Sequence, residues 1–242
     1  MPELLLLSNS VSPGLGFLEH ALTEIGELVP PGSRLLFLPQ ANSDPDQYTR
    51  VVAGALAPLS VRVAGAHAVA DPVRELAGAD AVFTGGGNSF RLLRALQAGG
   101  LLPAIRERVA AGMPYLGASA GTNVACPTIR TTNDMPIVQP ASLDALGLIP
   151  FQINPHYLDP EPDSTHQGET RPQRIREFLE ENDVPVLALR EGSWLRVSGS
   201  AARVAGTAGG VIFSRHEAER SVSPGTDVSR LLSTRPRFDS VT

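Results

Sequence analysis

Tyr115-Leu116-Gly117-Ala118-Ser119-Ala120-Gly121, residues 115–121, runs from an apolar stretch into a serine held between two glycines. A buried strand that ends in such a turn and passes into a helix projects the serine hydroxyl outward. The flanking glycines keep side chains out of the crowded bend, and the next backbone N–H faces the reacting oxygen. The spacing therefore predicts a strand at Tyr115–Ala118 and a nucleophile candidate at Ser119. A five-residue G-x-S-x-G match also describes an ordinary tight turn, so the neighbouring sequence has to decide.

Working outward, short apolar runs alternate with amphipathic stretches. Leu4–Leu7, Leu35–Leu38, Val61–Ala64 and Ala81–Phe83 read as further buried strands, and Phe17–Leu28, Gln47–Leu56, Pro72–Leu76 and Phe90–Ala98 read as helices. Strand then helix, repeated, predicts an α/β fold: a three-layer sandwich around a mostly parallel sheet. Sites in such sheets form beyond the carboxyl ends of the strands, where both Ser119 and Gly85-Gly86-Gly87-Asn88 fall. After Val138 the texture changes. A helix is expected at Gln173–Glu181, with strands at Val186–Leu189, Ser193–Val197, Ala202–Ala205 and Gly210–Phe213, which predicts a mixed or antiparallel extension of one domain over residues 1–242.

Composition bounds the function. With 242 residues, 42% of them hydrophobic, a net charge of −5 and no basic stripe, the chain fits one globular domain and argues against nucleic acid as the main partner. No apolar run is long enough to span a bilayer. Leu4–Leu7 has no basic residues before it and is followed by polar Asn9 and Ser10, so it reads as a first strand rather than a secretion signal. The single cysteine, Cys126, excludes an internal disulfide, and His and Cys spacing suggests no zinc site. A reducing, cytoplasmic setting is the expectation.

The Gly85-Gly86-Gly87 turn after a strand could cradle an anion. It lacks the lysine of a P-loop and the full dinucleotide pattern, so an oxyanion hole formed by the N–H groups of Gly87 and Ala120 suits it better than a phosphate site. A serine needs a base. Among His20, His67, His156, His166 and His216, His156 is set apart because Asn154-Pro155-His156-Tyr157 follows the apolar run Leu148–Ile153 and so puts an imidazole at a strand end; His166, in an acidic loop, is the competitor.

Taken together, GGGNSF at 85–90, GASAGTNVA at 117–125, TTNDMPIV at 131–138, FQINPHY at 151–157, HQGETRPQRI at 166–175 and ALREGSWL at 188–195 resemble the peptidase E family of α-aspartyl dipeptidases, in order and over most of the chain. The resemblance implies a fold similar to class I glutamine amidotransferases and a serine peptidase that cleaves dipeptides with an N-terminal aspartate, without metal or organic cofactor. It implies Ser119 as nucleophile, His156 as base and Glu191 as the carboxylate orienting it. The residues alone leave Asp134 as an equal alternative.

The same resemblance makes Arg171 the reader of the substrate carboxylate, a role a bidentate guanidinium suits. Otherwise Arg171 simply covers the following helix. Asn88, Thr132 and Asn133 are candidates for polar contacts to the peptide. Ala118 and Thr122 depart from the tryptophan and alanine familiar in the family, and so predict an enlarged pocket. Two other functions fit the same turns: a cyanophycinase-like exopeptidase, and a non-catalytic module binding a small anion or nucleotide. A small peptide is the implied partner, no membrane is implied, and a homodimer is left open.

Overall fold

The computed structural model describes residues 2–161, 165 and 167–240. It opens with β1 (Glu3–Leu7), α1 (Leu22–Leu28), β2 (Arg34–Leu38), α2 (Pro45–Leu56), β3 (Arg62–Gly65), α3 (Pro72–Gly78), β4 (Ala81–Thr84), α4 (Ser89–Ala98), α5 (Leu101–Ala110), β5 (Tyr115–Ala118) and α6 (Ala120–Val124). It continues with β6 (Gln152–Tyr157), α7 (Arg171–Glu181), β7 (Val186–Arg190), β8 (Ser193–Ser198), β9 (Ala201–Gly206), β10 (Gly210–Phe213) and β11 (Arg220–Val222).

Seven strands form one sheet in the order β3-β2-β4-β5-β1-β8-β9. The first five are parallel, and β8 and β9 close the edge antiparallel. Period-two side-chain alternation explains the layers. Leu4 and Leu6 of β1 bury on one face with Leu92, Leu96 and Ile105, whereas Leu5 and Leu7 bury on the other with Ile25, Val52 and Leu56. Leucines at four consecutive positions are what a sheet covered on both faces demands. Each contributes about 1.5–3 kcal/mol by leaving water.

The helices start where side chains satisfy the first free N–H groups. Asp44 accepts from Gln47 N–H, Asp71 from Arg74 N–H and Asn88 from Arg91 N–H, and Pro45 and Pro72 occupy the first helical positions of α2 and α3. The expected helix Phe17–Leu28 is shorter. Leu18 takes a left-handed φ of 59°, so a 3₁₀ turn at Glu19–Ala21 precedes α1. Sequence periodicity also missed α5 and β11.

The expected C-terminal extension divides in two. β8 and β9 complete the first sheet, while β11-β10-β7-β6 form a second, mixed one with β6 parallel to β7. Leu187 and Leu189 of β7 join the core shared with the first sheet, and Val186 and Ala188 face α7 through Ile175 and Leu179. No helix among the described residues is long and apolar enough to cross a membrane.

Candidate active site

β4, β5, β1 and β8 are neighbours in the first sheet, so the loops leaving the carboxyl ends of β4, β5 and β1 meet beside the loop that enters β8. The pairing of Leu7 with Trp194 brings Glu191 and Gly192, just before β8, next to Ser8 and Asn9, just after β1. The pairing of Tyr157 with Arg190 brings the end of β6 to the same place. Four strand ends thus deliver Gly87, Ser119, His156 and Glu191 to one cavity of about 350 Å³, which Asn9, Ser10, Val11, Phe17, Asn42 and Tyr48 also line.

Ser119 sits between β5 and α6 with φ 53° and ψ −108°, a strained conformation for a residue with a Cβ. Its N–H donates to Leu7 C=O at 3.1 Å. Gly117 and Gly121 are required there: a Cβ on Gly121 would overlap the Thr84 carbonyl oxygen, and one on Gly117 would lie 2.8 Å from Gly121 O. His156 also has positive φ, at 54°, where the β6–β7 register shifts between Asn154 and Tyr157. Such conformations cost about 1–3 kcal/mol each and persist only when the surroundings enforce them.

His156 Nε2 lies 2.8 Å from Ser119 Oγ, and His156 Nδ1 lies 2.6 Å from Glu191 Oε1. The imidazole is 37% exposed and the carboxylate 49%, so the group opens to solvent. Asp134, the other acidic candidate, is elsewhere: its Oδ2 accepts from Ser89 N–H at 2.7 Å and from Thr132 Oγ at 3.1 Å, at the start of α4. His166 lies outside the described residues. His67 pairs with Asp46 at 2.9 Å, and His20 packs beside Trp194 with ring centroids 6.1 Å apart and planes tilted by 55°.

The Gly85-Gly86-Gly87 turn lies directly against the serine turn, since a Cβ on Gly86 would be 3.2 Å from Ser119 Cβ. The Gly86 N–H donates to Tyr48 Oη at 2.8 Å, a contact no sequence pattern signals. Gly87 has φ +132° and its missing side chain would strike Ala41 O, so only glycine fits. Among the described residues, the N–H groups of Gly87 and of Ala120, the first residue of α6, have no protein acceptor.

Three of the expected peptide contacts are committed to protein. Asn88 caps α4 and donates to Met135 C=O at 2.8 Å; the Thr132 hydroxyl donates to Asp134 and lies 3.0 Å from the Ser89 hydroxyl; Asn133 donates to Pro155 C=O at 2.8 Å and accepts from Asn154 at 2.9 Å. Asn88 and Thr132 tie the 131–138 loop to the start of α4, and Asn133 ties it to the segment that carries His156.

Arg171 is not in the Ser119 cavity. It opens α7 after the Thr170–Gln173 capping box and lines a second cavity of about 580 Å³ with Leu158, Asp159, Glu161 and Arg174. Burial, and then the charge of Arg174, lowers its pKa against the opposing pull of Asp134. Ala118 and Thr122, expected to enlarge the pocket, do not face it. Both are fully buried, neither lines the cavity, and the Thr122 hydroxyl ties α6 to β1 through Leu7 C=O at 2.6 Å.

The model of peptidase family S51 matches residues 4–205, which includes Gly87, Ser119, His156 and Glu191. The chain belongs to this family. Among family S51 relatives, peptidase E of Streptomyces coelicolor is 58% identical over 240 residues, covering 99% of each chain. The Drosophila melanogaster protein named "Probable alpha-aspartyl dipeptidase" is 47% identical over 233 residues, covering 95% of this chain and 97% of its own. A crystal structure of a peptidase from an acI-B1 actinobacterium superposes with a TM-score of 0.65 at 18% identity, over 94% of this chain and 96% of that one, and shares the fold.

Proposed function

We propose that this chain is a serine dipeptidase that hydrolyses dipeptides with an N-terminal aspartate, acting as one catalytic unit over residues 1–242. The observation that carries it is the unbroken line of contacts Ser119 Oγ, His156 Nε2, His156 Nδ1 and Glu191 Oε1, at 2.8 and 2.6 Å. A hydroxyl next to an imidazole whose far nitrogen faces a carboxylate is the arrangement that activates a serine.

In this reading Ser119 Oγ attacks the scissile carbonyl as His156 Nε2 takes its proton. Glu191 holds the Nδ1–H tautomer and stabilises the imidazolium that forms. The N–H groups of Gly87 and Ala120 receive the oxyanion; losing one such donor typically costs ~100- to 1000-fold. His156 then protonates the leaving amine, and a water activated by the same imidazole releases the aspartyl group from Ser119.

The aspartate preference rests on Arg171 and on the names of the relatives. A half-buried guanidinium beside Arg174 gains from an arriving carboxylate, which relieves the like charge and restores lost hydration. The opening of its cavity beside Leu158, two residues past His156, supports a substrate side chain reaching it.

The test is hydrolysis of Asp-Leu, Asn-Leu, Glu-Leu and Asp-Leu-Gly in chelator, with Ser119→Ala as control. Cleavage of Asp-Leu alone, abolished in the variant, is the expected result. Release of β-Asp-Arg from cyanophycin in its place would transfer the same triad to a polymer substrate, and ligand binding without turnover would make the chain a binding module.

A further inference from the structure

Leu7, the last residue of β1, and Ser8 and Asn9, the two that follow it, each hold the backbone at or beside a different member of the triad. Leu7 C=O accepts the Ser119 N–H at 3.1 Å and also the Thr122 hydroxyl at 2.6 Å. Ser8 Oγ accepts the His156 N–H at 2.9 Å and donates to Leu189 C=O at 2.9 Å, two residues before Glu191. Asn9 Oδ1 accepts the N–H of Gly192, the residue after Glu191, at 2.8 Å, while its Nδ2 donates to Val11 C=O at 2.7 Å. Ser8 is fully buried and Asn9 is 2% exposed, so neither can exchange these partners for water.

We propose that Leu7-Ser8-Asn9 is a brace that sets the geometry of the active site, with Ser8 and Asn9 as positioning residues for His156 and Glu191. This rests on the triad proposed above. Ser119 belongs to the first sheet, whereas His156 belongs to the second and Glu191 to the turn that joins the two. Each sheet could shift against the other without breaking its own ladder, and a shift of about 1 Å misaligns a proton transfer. The brace fixes that relative position at the reacting atoms.

The backbone also explains why a serine is needed. At φ 54° the His156 N–H turns out of the β6–β7 ladder where the register slips, leaving a part-buried donor that a short hydroxyl just past the end of β1 meets. Ser8 Oγ, accepting from β6 and donating to β7, fills this gap in the ladder. Asn9 does the corresponding work in the β7–β8 turn, where Gly192 holds φ +78°. Neither residue touches the reacting atoms, so both act through His156 and Glu191.

The experiment uses the full chain with Ser8→Ala, Asn9→Ala and Ser8→Thr, the last keeping the hydroxyl. Labelling of Ser119 by a phosphonofluoridate, followed by intact mass, reads serine activation without any peptide. Turnover of Asp-Leu then separates kcat from KM, and thermal denaturation confirms that each variant is folded. A brace predicts that Ser8→Ala and Asn9→Ala lower both the labelling rate and kcat by about 10- to 100-fold with KM within about twofold, and that Ser8→Thr restores most of the rate.

The low-field proton resonance of the His156–Glu191 hydrogen bond should move in both alanine variants. Folded alanine variants that label at the wild-type rate with an unmoved resonance would overturn the proposal. Should wild-type protein neither label nor turn over, the peptidase reading fails by itself, and the resonance still decides whether the brace positions His156.

Discussion

At the scale of single residues, two acidic side chains that the residues alone could not separate have different partners: Glu191 meets His156, whereas Asp134 meets Ser89 N–H. Glu191→Gln should lower kcat on Asp-Leu by ~10²- to 10⁴-fold with little change in KM, because the amide no longer favours the tautomer that lets Nε2 accept the serine proton. Asp134→Asn should instead lower thermal stability by about 1 kcal/mol through loss of the charged acceptor of Ser89 N–H, with a far smaller effect on kcat. Steady-state kinetics and denaturant unfolding of the two variants check this. Arg171→Ala should harm Asp-Leu far more than any residual Asn-Leu turnover; equal losses would make Arg171 a purely structural residue. Ser119 and His156 were legible because each follows an apolar run at a strand end. Ser8, Asn9 and Tyr48 were not singled out: small polar residues after a strand are ordinary, and nothing local in α2 shows that the Tyr48 hydroxyl meets Gly86. Asn88, Thr132 and Asn133 stood in matching motifs, but caps and loop ties satisfy their polar atoms, a distinction that only the three-dimensional partners reveal.

At the scale of elements, the serine turn is held by close backbone packing. Gly121→Ala should destabilise the chain by about 1–3 kcal/mol and depress kcat, because the added methyl must push α6 away from the Thr84 carbonyl. Gly54→Ala is the contrasting case. Gly54 lies exposed in the last turn of α2, where the chain runs on into a 3₁₀ turn, and a methyl added there would meet nothing within 4 Å, so urea unfolding should show a gain of roughly 0.5–1 kcal/mol. Strands β1 to β5 were read within a residue or so because strands buried on both faces are continuous apolar runs. α1 was overextended because periodicity is blind to the left-handed Leu18. α5 was overlooked because its apolar residues follow α4 directly after Gly99-Gly100, and β11 because three residues carry too little pattern.

At the scale of the whole molecule, the parallel sheet and the family were legible, whereas the split of the C-terminal strands between two sheets was not. β8 and β10 are both short, largely buried strands, and only long-range pairing decides that one joins β1 and the other β7. The closing edge has an electrostatic consequence. Burial pushes the Glu3 carboxyl up, but hydrogen bonds from Ser198 and Arg196 of β8 outweigh it and hold it below its ordinary range; the Arg190 guanidinium does the same for Asp159. Groups with depressed folded pKa values stabilise the fold above the ordinary carboxylate range and lose that contribution as pH falls through the lower folded values. The melting temperature should therefore drop as pH falls below about 4, and less steeply in Glu3→Gln; identical profiles would exclude this contribution. In the proposed reaction Ser119 carries the aspartyl group during turnover. Rapid acid quench of an aspartyl anilide reaction, with mass analysis of the peptide that contains Ser119, tests it most directly. One aspartyl increment on Ser119, absent in Ser119→Ala and with the asparaginyl analogue, is the predicted result, whereas full turnover by Ser119→Ala, or an adduct on another residue, would contradict it.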